Sequence, residues 1–476
     1  MGPKQKGGMT SPVLIGVLIY VLLQLVVGFV VSRGIRNEAD YLLAGRRLGY
    51  GLATFTIFAT WFGAETCIGA AGAIYERGLS GGSADPFGYS LCLLCMGLFF
   101  AIPLWRGKFT TLGDLFRSRY SPGVERIAVL FMVPSSVMWA AAQIRAFGQV
   151  LSIASSSELG VTVAITIAAA VVIIYTVSGG LLADAVTDIV QGTALMVGLL
   201  ILAWVLVDDL SDPIIRQTAI NPERLQIFGG GRVPLLETLE AWAVPVCGSV
   251  VAQELVSRVL ATRAPVVAQR ASLLAAVAYL LIGGIPVAVG LIGPALHPNL
   301  ENPEQILPLI AQQQLSTFAY ILFAGALVSA ILSTVDSTLL AASALVSHNL
   351  IVSIRPGLSE VVKVRTARIG VLVFGVIAYL LALYTEGVYH LVESASAFGG
   401  AGIFTLFIFG LCTRIGGTLS AFAALAVGSV VWIWGTYVVE SSTPYVFSLA
   451  SAFVTYLLVA GVSRSSSSQR PNQILA

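Results

Sequence analysis

The chain has 476 residues, with Lys+Arg 26 against Asp+Glu 24 and a net charge of +2. Charged residues make up 11% and hydrophobic ones 57%, where soluble domains carry about 25% charged residues. That excludes a string of water-soluble domains, and the missing basic excess excludes a nucleic-acid-binding face; the chain reads as a polytopic membrane protein.

A membrane span needs about 20 apolar residues. Thirteen stretches qualify, at 11–32, 49–75, 86–105, 124–153, 159–178, 182–207, 236–257, 266–292, 316–349, 364–386, 389–412, 416–438 and 443–463. Lys4 and Lys6 before the first stretch imitate a secretory signal. The stretch is too long for a signal core and lacks a small-residue cleavage site, so it reads as a retained span. Cys67, Cys92, Cys95, Cys247 and Cys412 all lie in apolar runs. They read as small buried hydrophobes and predict neither a disulfide nor a metal cluster.

Basic residues collect on the cytoplasmic side of membrane proteins. If the thirteen spans alternate, 19 of the 26 Lys and Arg fall on one side, including Arg33, Arg46, Arg106, Arg258 and Arg414. Six fall on the other, and Arg145 lies inside a span. The N-terminus is therefore expected outside and the C-terminus in the cytoplasm. The longest stretch between spans, 208–235, faces out, and the Ser-rich tail 464–476 is expected to be disordered.

The second span carries Thr60-Trp61-Phe62-Gly63-Ala64-Glu65-Thr66 at its centre. The seventh carries Val244-Pro245-Val246-Cys247-Gly248-Ser249, where proline removes a backbone donor. Each interrupted span is the first of five, over 49–207 and 236–412. That is the pattern of an inverted-repeat secondary transporter, whose broken helices free backbone groups for an ion and a polar solute. Packing or a simple kink is the other reading of each break.

The sixth span places Asp184 and Asp188 four residues apart on one face. Asp184 suits a helix N-terminus, and Asp188 is the better partner for a cation. The ninth span reads Ala330-Ile331-Leu332-Ser333-Thr334-Val335-Asp336-Ser337-Thr338. A hydroxyl on a membrane helix usually bonds its own helix, but this density of oxygens suits a small hard cation such as sodium. Asp336 inside a span marks a functional site by default.

Several segments, spread over 33–415, resemble the solute:sodium symporter family. They are Asp40-Tyr41-Leu42-Leu43-Ala44-Gly45-Arg46, Gly179-Gly180 through Thr187-Asp188 to Gln191, and Ser333-Thr334 through to His348-Asn349. The resemblance implies an all-α membrane protein with a leucine-transporter-type five-plus-five fold. A leading helix precedes the repeats, and two trailing helices at 416–463 complete a single transporter domain, 1–476. It also implies a sodium site made by the carbonyls of Ala59, Phe62 and Ala330 with the hydroxyls of Ser333 and Thr334. Some members have a second sodium site, which here would involve Asp188, Asp336 and Ser337. Asp336 stands at a position that is often serine.

Ala59-Thr60-Trp61, Pro86-Phe87-Gly88-Tyr89-Ser90, Leu98-Phe99-Phe100-Ala101-Ile102-Pro103 and Trp139-Ala140-Ala141-Ala142 are similar to the high-affinity choline transporter branch. This implies that Trp61, Tyr89 and Trp139 wall a site for a quaternary ammonium, where cation–π contact operates. Core packing is the other reading of these rings. Two departures stand out: Ala252 replaces a tryptophan and Glu65 a glycine. Glu65 either faces a cationic amine, is protonated, or pairs with Arg145 and leaves a neutral solute. Gln143, Gln253 and Glu254 are further lining residues.

The expected function is sodium-coupled symport, at the cell membrane, of a small organic solute such as choline or an amino acid, with no cofactor beyond the coupling ion. A proton-coupled carrier of a neutral or carboxylate solute, using Glu65, Asp188 and Asp336, is the alternative. A membrane sensor domain and a membrane enzyme are weaker readings. The chain ends soon after the last span, and His297, His348 and His390 do not cluster in the sequence.

Overall fold

The computed structural model describes residues 35–468 except 156–158, 179, 210, 230–232, 356 and 386–387, with a few positions between 15 and 33. Most of the leading span expected over 11–32, and the end of the tail, fall outside the described residues. Among the described residues every regular element is helical, and Leu48 and Thr262 make an isolated bridge.

Among the described residues eight helices are long and apolar enough to cross a membrane, and two further pairs, bent by 47° and 44°, would each make one more. Helical segments occur within each of the second to thirteenth stretches, while short helices at Glu38–Leu43, Leu112–Arg119, Pro213–Ala219 and Ile306–Gln314 lie between them. In chain order they are α1 (Tyr50–Trp61), α2 (Ala71–Arg77), α3 (Tyr89–Cys95, continued by Met96–Phe100 and Ala101–Arg106), α4 (Leu112–Arg119) and α5 (Pro122–Ala154). Next come α6 (Val161–Ser178), α7 (Leu181–Asp209), α8 (Leu235–Ala243), α9 (Gln253–Leu260), α10 (Pro265–Leu296) and α11 (Thr317–Ala344). The last are α12 (Glu360–Tyr384), α13 (Val388–Ala397), α14 (Gly400–Cys412), α15 (Thr418–Tyr437) and α16 (Pro444–Ser468). The helix of α16 thus runs five residues into the tail expected to be disordered.

Both expected breaks are present. Phe62 ends α1 with φ −79° and ψ 79°, and the Gly63 amide turns back to the Trp61 carbonyl at 2.9 Å. Beyond α8 the backbone widens over Val244–Gly248, tightens over Ser249–Val251 and becomes extended at Ala252, with ψ 128°. A third break, not anticipated, separates α13 from α14. Gly399 there has φ 66°, a left-handed conformation that glycine adopts without penalty. A Cβ on Gly399 would also lie 2.8 Å from the Phe131 Cβ.

These breaks meet at the centre of the bundle. α11 is buried along nearly its whole length and packs against α1, α5 and α7. The chain entering α1 pairs with the chain leaving α9: Leu48 donates to the Ala261 carbonyl at 3.2 Å and accepts from Arg263 at 3.0 Å. The Trp105 indole closes the same corner on the Thr262 carbonyl at 2.7 Å.

The second and third breaks touch directly, because a Cβ on Gly248 would lie 2.2 Å from the Ser396 carbonyl. Gly248→Ala is therefore expected to wedge them apart at a cost of about 1–3 kcal/mol. Thermal unfolding in detergent checks it; an unchanged midpoint would show that the contact is not tight.

Candidate functional site

The first cluster joins the α1 break to the stripe on α11. The Thr334 hydroxyl lies 3.2 Å from the Ala330 carbonyl and 3.5 Å from the Ala59 carbonyl. A Cβ on Gly63 would lie 2.8 Å from Thr334 Oγ1 and 3.2 Å from Gln143 Oε1. Glycine at this position is what lets the two helices approach so closely. Gln143 fastens the break from α5, accepting from the Ala64 amide at 3.2 Å. Phe62 ends the helix at the same break. Ser333, one residue before Thr334, donates to Asp188 on α7. Carbonyl and hydroxyl oxygens thus gather in a dry space, which is the donor chemistry of a hard cation.

The second cluster lies one turn along α11. Arg258 was counted in sequence with the charges at one membrane face. It is instead buried, with 1% exposure, and it reaches back along α9 into the bundle. Its guanidinium donates to Asp184 and Ser337, and to the Thr56 carbonyl at 3.2 Å. Thr56 donates to Asp188 at 2.5 Å, and Arg258 lies 4.0 Å from the same carboxylate. Two of the residues expected to hold a second ion, Asp188 and Ser337, are therefore engaged around a guanidinium. The third, Asp336, is fully buried on the same helix, and neither carboxylate oxygen has a hydrogen-bond partner.

The third cluster is aromatic and acidic. Trp61, Tyr89 and Trp139 come together from α1, α3 and α5. Their ring centroids are 5.1 Å apart for Trp61–Tyr89, and 5.9 Å for Trp61–Trp139 and Tyr89–Trp139. Tyr89 donates to Glu65 Oε1 at 3.0 Å. Sequence reasoning missed Asp85, which precedes Pro86 and reads as a turn residue. It is fully buried, accepts from Thr66 at 2.7 Å, and lies 3.0 Å from the Tyr279 hydroxyl. Glu65 Oε2, Asp85 Oδ1, Trp139 Nε1 and Gln143 Nε2 are buried without a hydrogen-bond partner.

Of the three readings of Glu65, the pair with Arg145 is not formed, and Gln253 has partners of its own. Glu65 has a tyrosine as its partner, whereas Arg145 Nη1 donates to the Ala382 carbonyl on α12 at 3.3 Å. Gln253 accepts from the Leu112 amide and donates to Ser257, each at 2.8 Å. Its amide therefore ties α9 to α4. Ala330 and Phe62 are where the sequence placed them, on the stripe and at the break.

Removing one partner of a buried ion pair costs about 3–5 kcal/mol. Arg258→Met is therefore expected to abolish a monodisperse peak in size-exclusion chromatography. Adding Asp184→Asn, which removes the orphaned charge, should restore part of it. Equal behaviour of wild type and Arg258→Met would mean the guanidinium neutralises nothing.

The family model for the sodium:solute symporter family matches residues 41–428. The human high affinity choline transporter 1 is 30% identical over 407 residues, covering 79% of this chain and 69% of that protein. The osmoregulated proline transporter OpuE of Bacillus subtilis is 25% identical over 481 residues, covering 97% and 96%. A sodium-coupled sialic acid symporter, solved in a substrate-bound outward-open state, superposes with a TM-score of 0.82 at 19% identity, covering 96% and 98% of the two chains. That likeness establishes a shared fold. The protein is a transporter, and it belongs to the sodium:solute symporter family.

Proposed function

We propose that the protein couples sodium entry to the uptake of a small organic ammonium, of which choline is the simplest example. The observation that carries this reading is the third cluster. Three aromatic faces stand beside two buried carboxylates, each with one unpartnered oxygen. Aromatic faces attract an ammonium by about 0.5–2 kcal/mol each, and a buried carboxylate without a cation is costly in a membrane. A neutral solute would be favoured by a Glu65–Arg145 pair, and Glu65 is bonded to Tyr89 instead.

Sodium, carried as co-substrate, binds at the Ala59 and Ala330 carbonyls beside the Thr334 hydroxyl, and the Phe62 carbonyl and Ser333 hydroxyl complete its ligand set. Asp188, held by Ser333, supplies the nearest negative charge. Asp336, with its free oxygens, is the carboxylate left to a second ion, and Arg258 already serves Asp184 and Ser337. The thirteen-span topology, with two repeats of five and the N-terminus outside, lets one bundle rock against the other around this midplane site. An inside-negative potential supplies about 2.3 kcal/mol per charge per 100 mV, and both cargoes carry charge inward.

The test is choline uptake into proteoliposomes. Uptake is expected in sodium under an inside-negative potential and not in potassium; equal uptake in both overturns the reading. Uptake driven by a proton gradient without sodium would establish proton coupling instead. Trp139→Ala should raise the half-saturating choline concentration about tenfold or more. Gly63→Ala should raise the half-saturating sodium concentration by about tenfold or more, because its methyl enters the oxygen cluster. Normal sodium dependence in that variant would move the ion elsewhere.

A further inference from the structure

A cavity beside the aromatic cluster is used by none of these steps. Phe131, Ser135 and Ser136 on α5, Ala252 and Glu254 at the second break, and Ser396 and Phe398 at the third all line it. Ser136 stands one turn before Trp139, so the cavity adjoins the three rings on the side toward the start of α5. Glu254 is 3% exposed, and its Oε1 has no hydrogen-bond partner. Arg258 reaches Glu254 only at the backbone carbonyl, at 3.3 Å, because its guanidinium is engaged by Asp184. The Phe131 and Phe398 rings lie 6.2 Å apart.

We propose that this cavity is a second binding station for the transported ammonium, occupied after it leaves the aromatic cluster, with Glu254 as counter-ion. The proposal rests on reading that cluster as an ammonium site. A carboxylate and two aromatic faces repeat the carboxylate-and-ring chemistry of the first station, with seryl hydroxyls added, and α5 contributes to both. Because the second and third breaks form two of the cavity's walls, it changes shape whenever those breaks move.

The test uses Ser136→Cys and, should that variant misfold, Ser396→Cys. Each is treated with a methanethiosulfonate carrying trimethylammonium or with one carrying sulfonate, and adducts are located by mass spectrometry. The cationic reagent is expected to react at least about tenfold faster at this site. Glu254→Gln should bring the two rates together, and choline in sodium should protect the thiol. In uptake assays Glu254→Gln should lower the maximal rate by about tenfold or more. Equal rates for the two reagents, unchanged selectivity in Glu254→Gln, or protection by sodium without choline would each overturn the proposal. If choline is neither bound nor transported while the thiol stays cation-selective and Glu254-dependent, the choline reading fails and the cation station stands.

Discussion

An ionised carboxylate cannot sit in a membrane interior without a cation or a proton beside it. Glu65, Asp85, Asp184, Asp188, Glu254 and Asp336 are all buried within the bundle. Arg258 answers Asp184 closely and Asp188 at a distance. The remaining acids set an electrostatic demand that the fold itself leaves open. Under the proposed function that demand is put to use, since the charge that completes the site is the cargo.

The second constraint is backbone access. A membrane helix normally satisfies its own carbonyls, and such a rod offers nothing to an ion. The α1 helix escapes this by ending at Phe62 and restarting through Gly63, whose lack of a side chain admits Thr334 and Gln143. The seventh stretch does the same with Pro245 and the extended Ala252. At the first break the compensating group comes from α5, where Gln143 accepts from the Ala64 amide.

Much of this was legible in the sequence, for physical reasons. Apolar length located the helices, and Gly63 and Pro245 located two breaks, because those residues act locally. The oxygen stripe on α11 follows from helical spacing alone. The grouping of Trp61, Tyr89 and Trp139 came from resemblance, since three rings far apart in the chain carry no local signal of meeting. Arg258 was misplaced, and Asp85 missed, for a related reason. Each lies near a predicted span end, where a charge or an Asp-Pro pair reads as loop, and only tertiary packing draws them inside. The bend at Gly399 was concealed within a continuous apolar run, although the adjacent Gly399-Gly400 pair was a usable cue.

The proposed ion region and the proposed solute region are not separate structures. Ala59 offers its carbonyl to the oxygen cluster, and Trp61, two residues on, forms one wall of the aromatic cluster. Gln143 holds the break between them through the Ala64 amide, one turn from Trp139 on the same helix. An ion that draws the Ala59 carbonyl and the Thr334 hydroxyl together therefore fixes the final turn of α1, and with it the orientation of the Trp61 ring. The converse holds as well, because coupling between two sites is reciprocal in binding free energy. Coupled transport needs no long-range relay in this arrangement. It needs only that one short, interrupted stretch of backbone serve both cargoes.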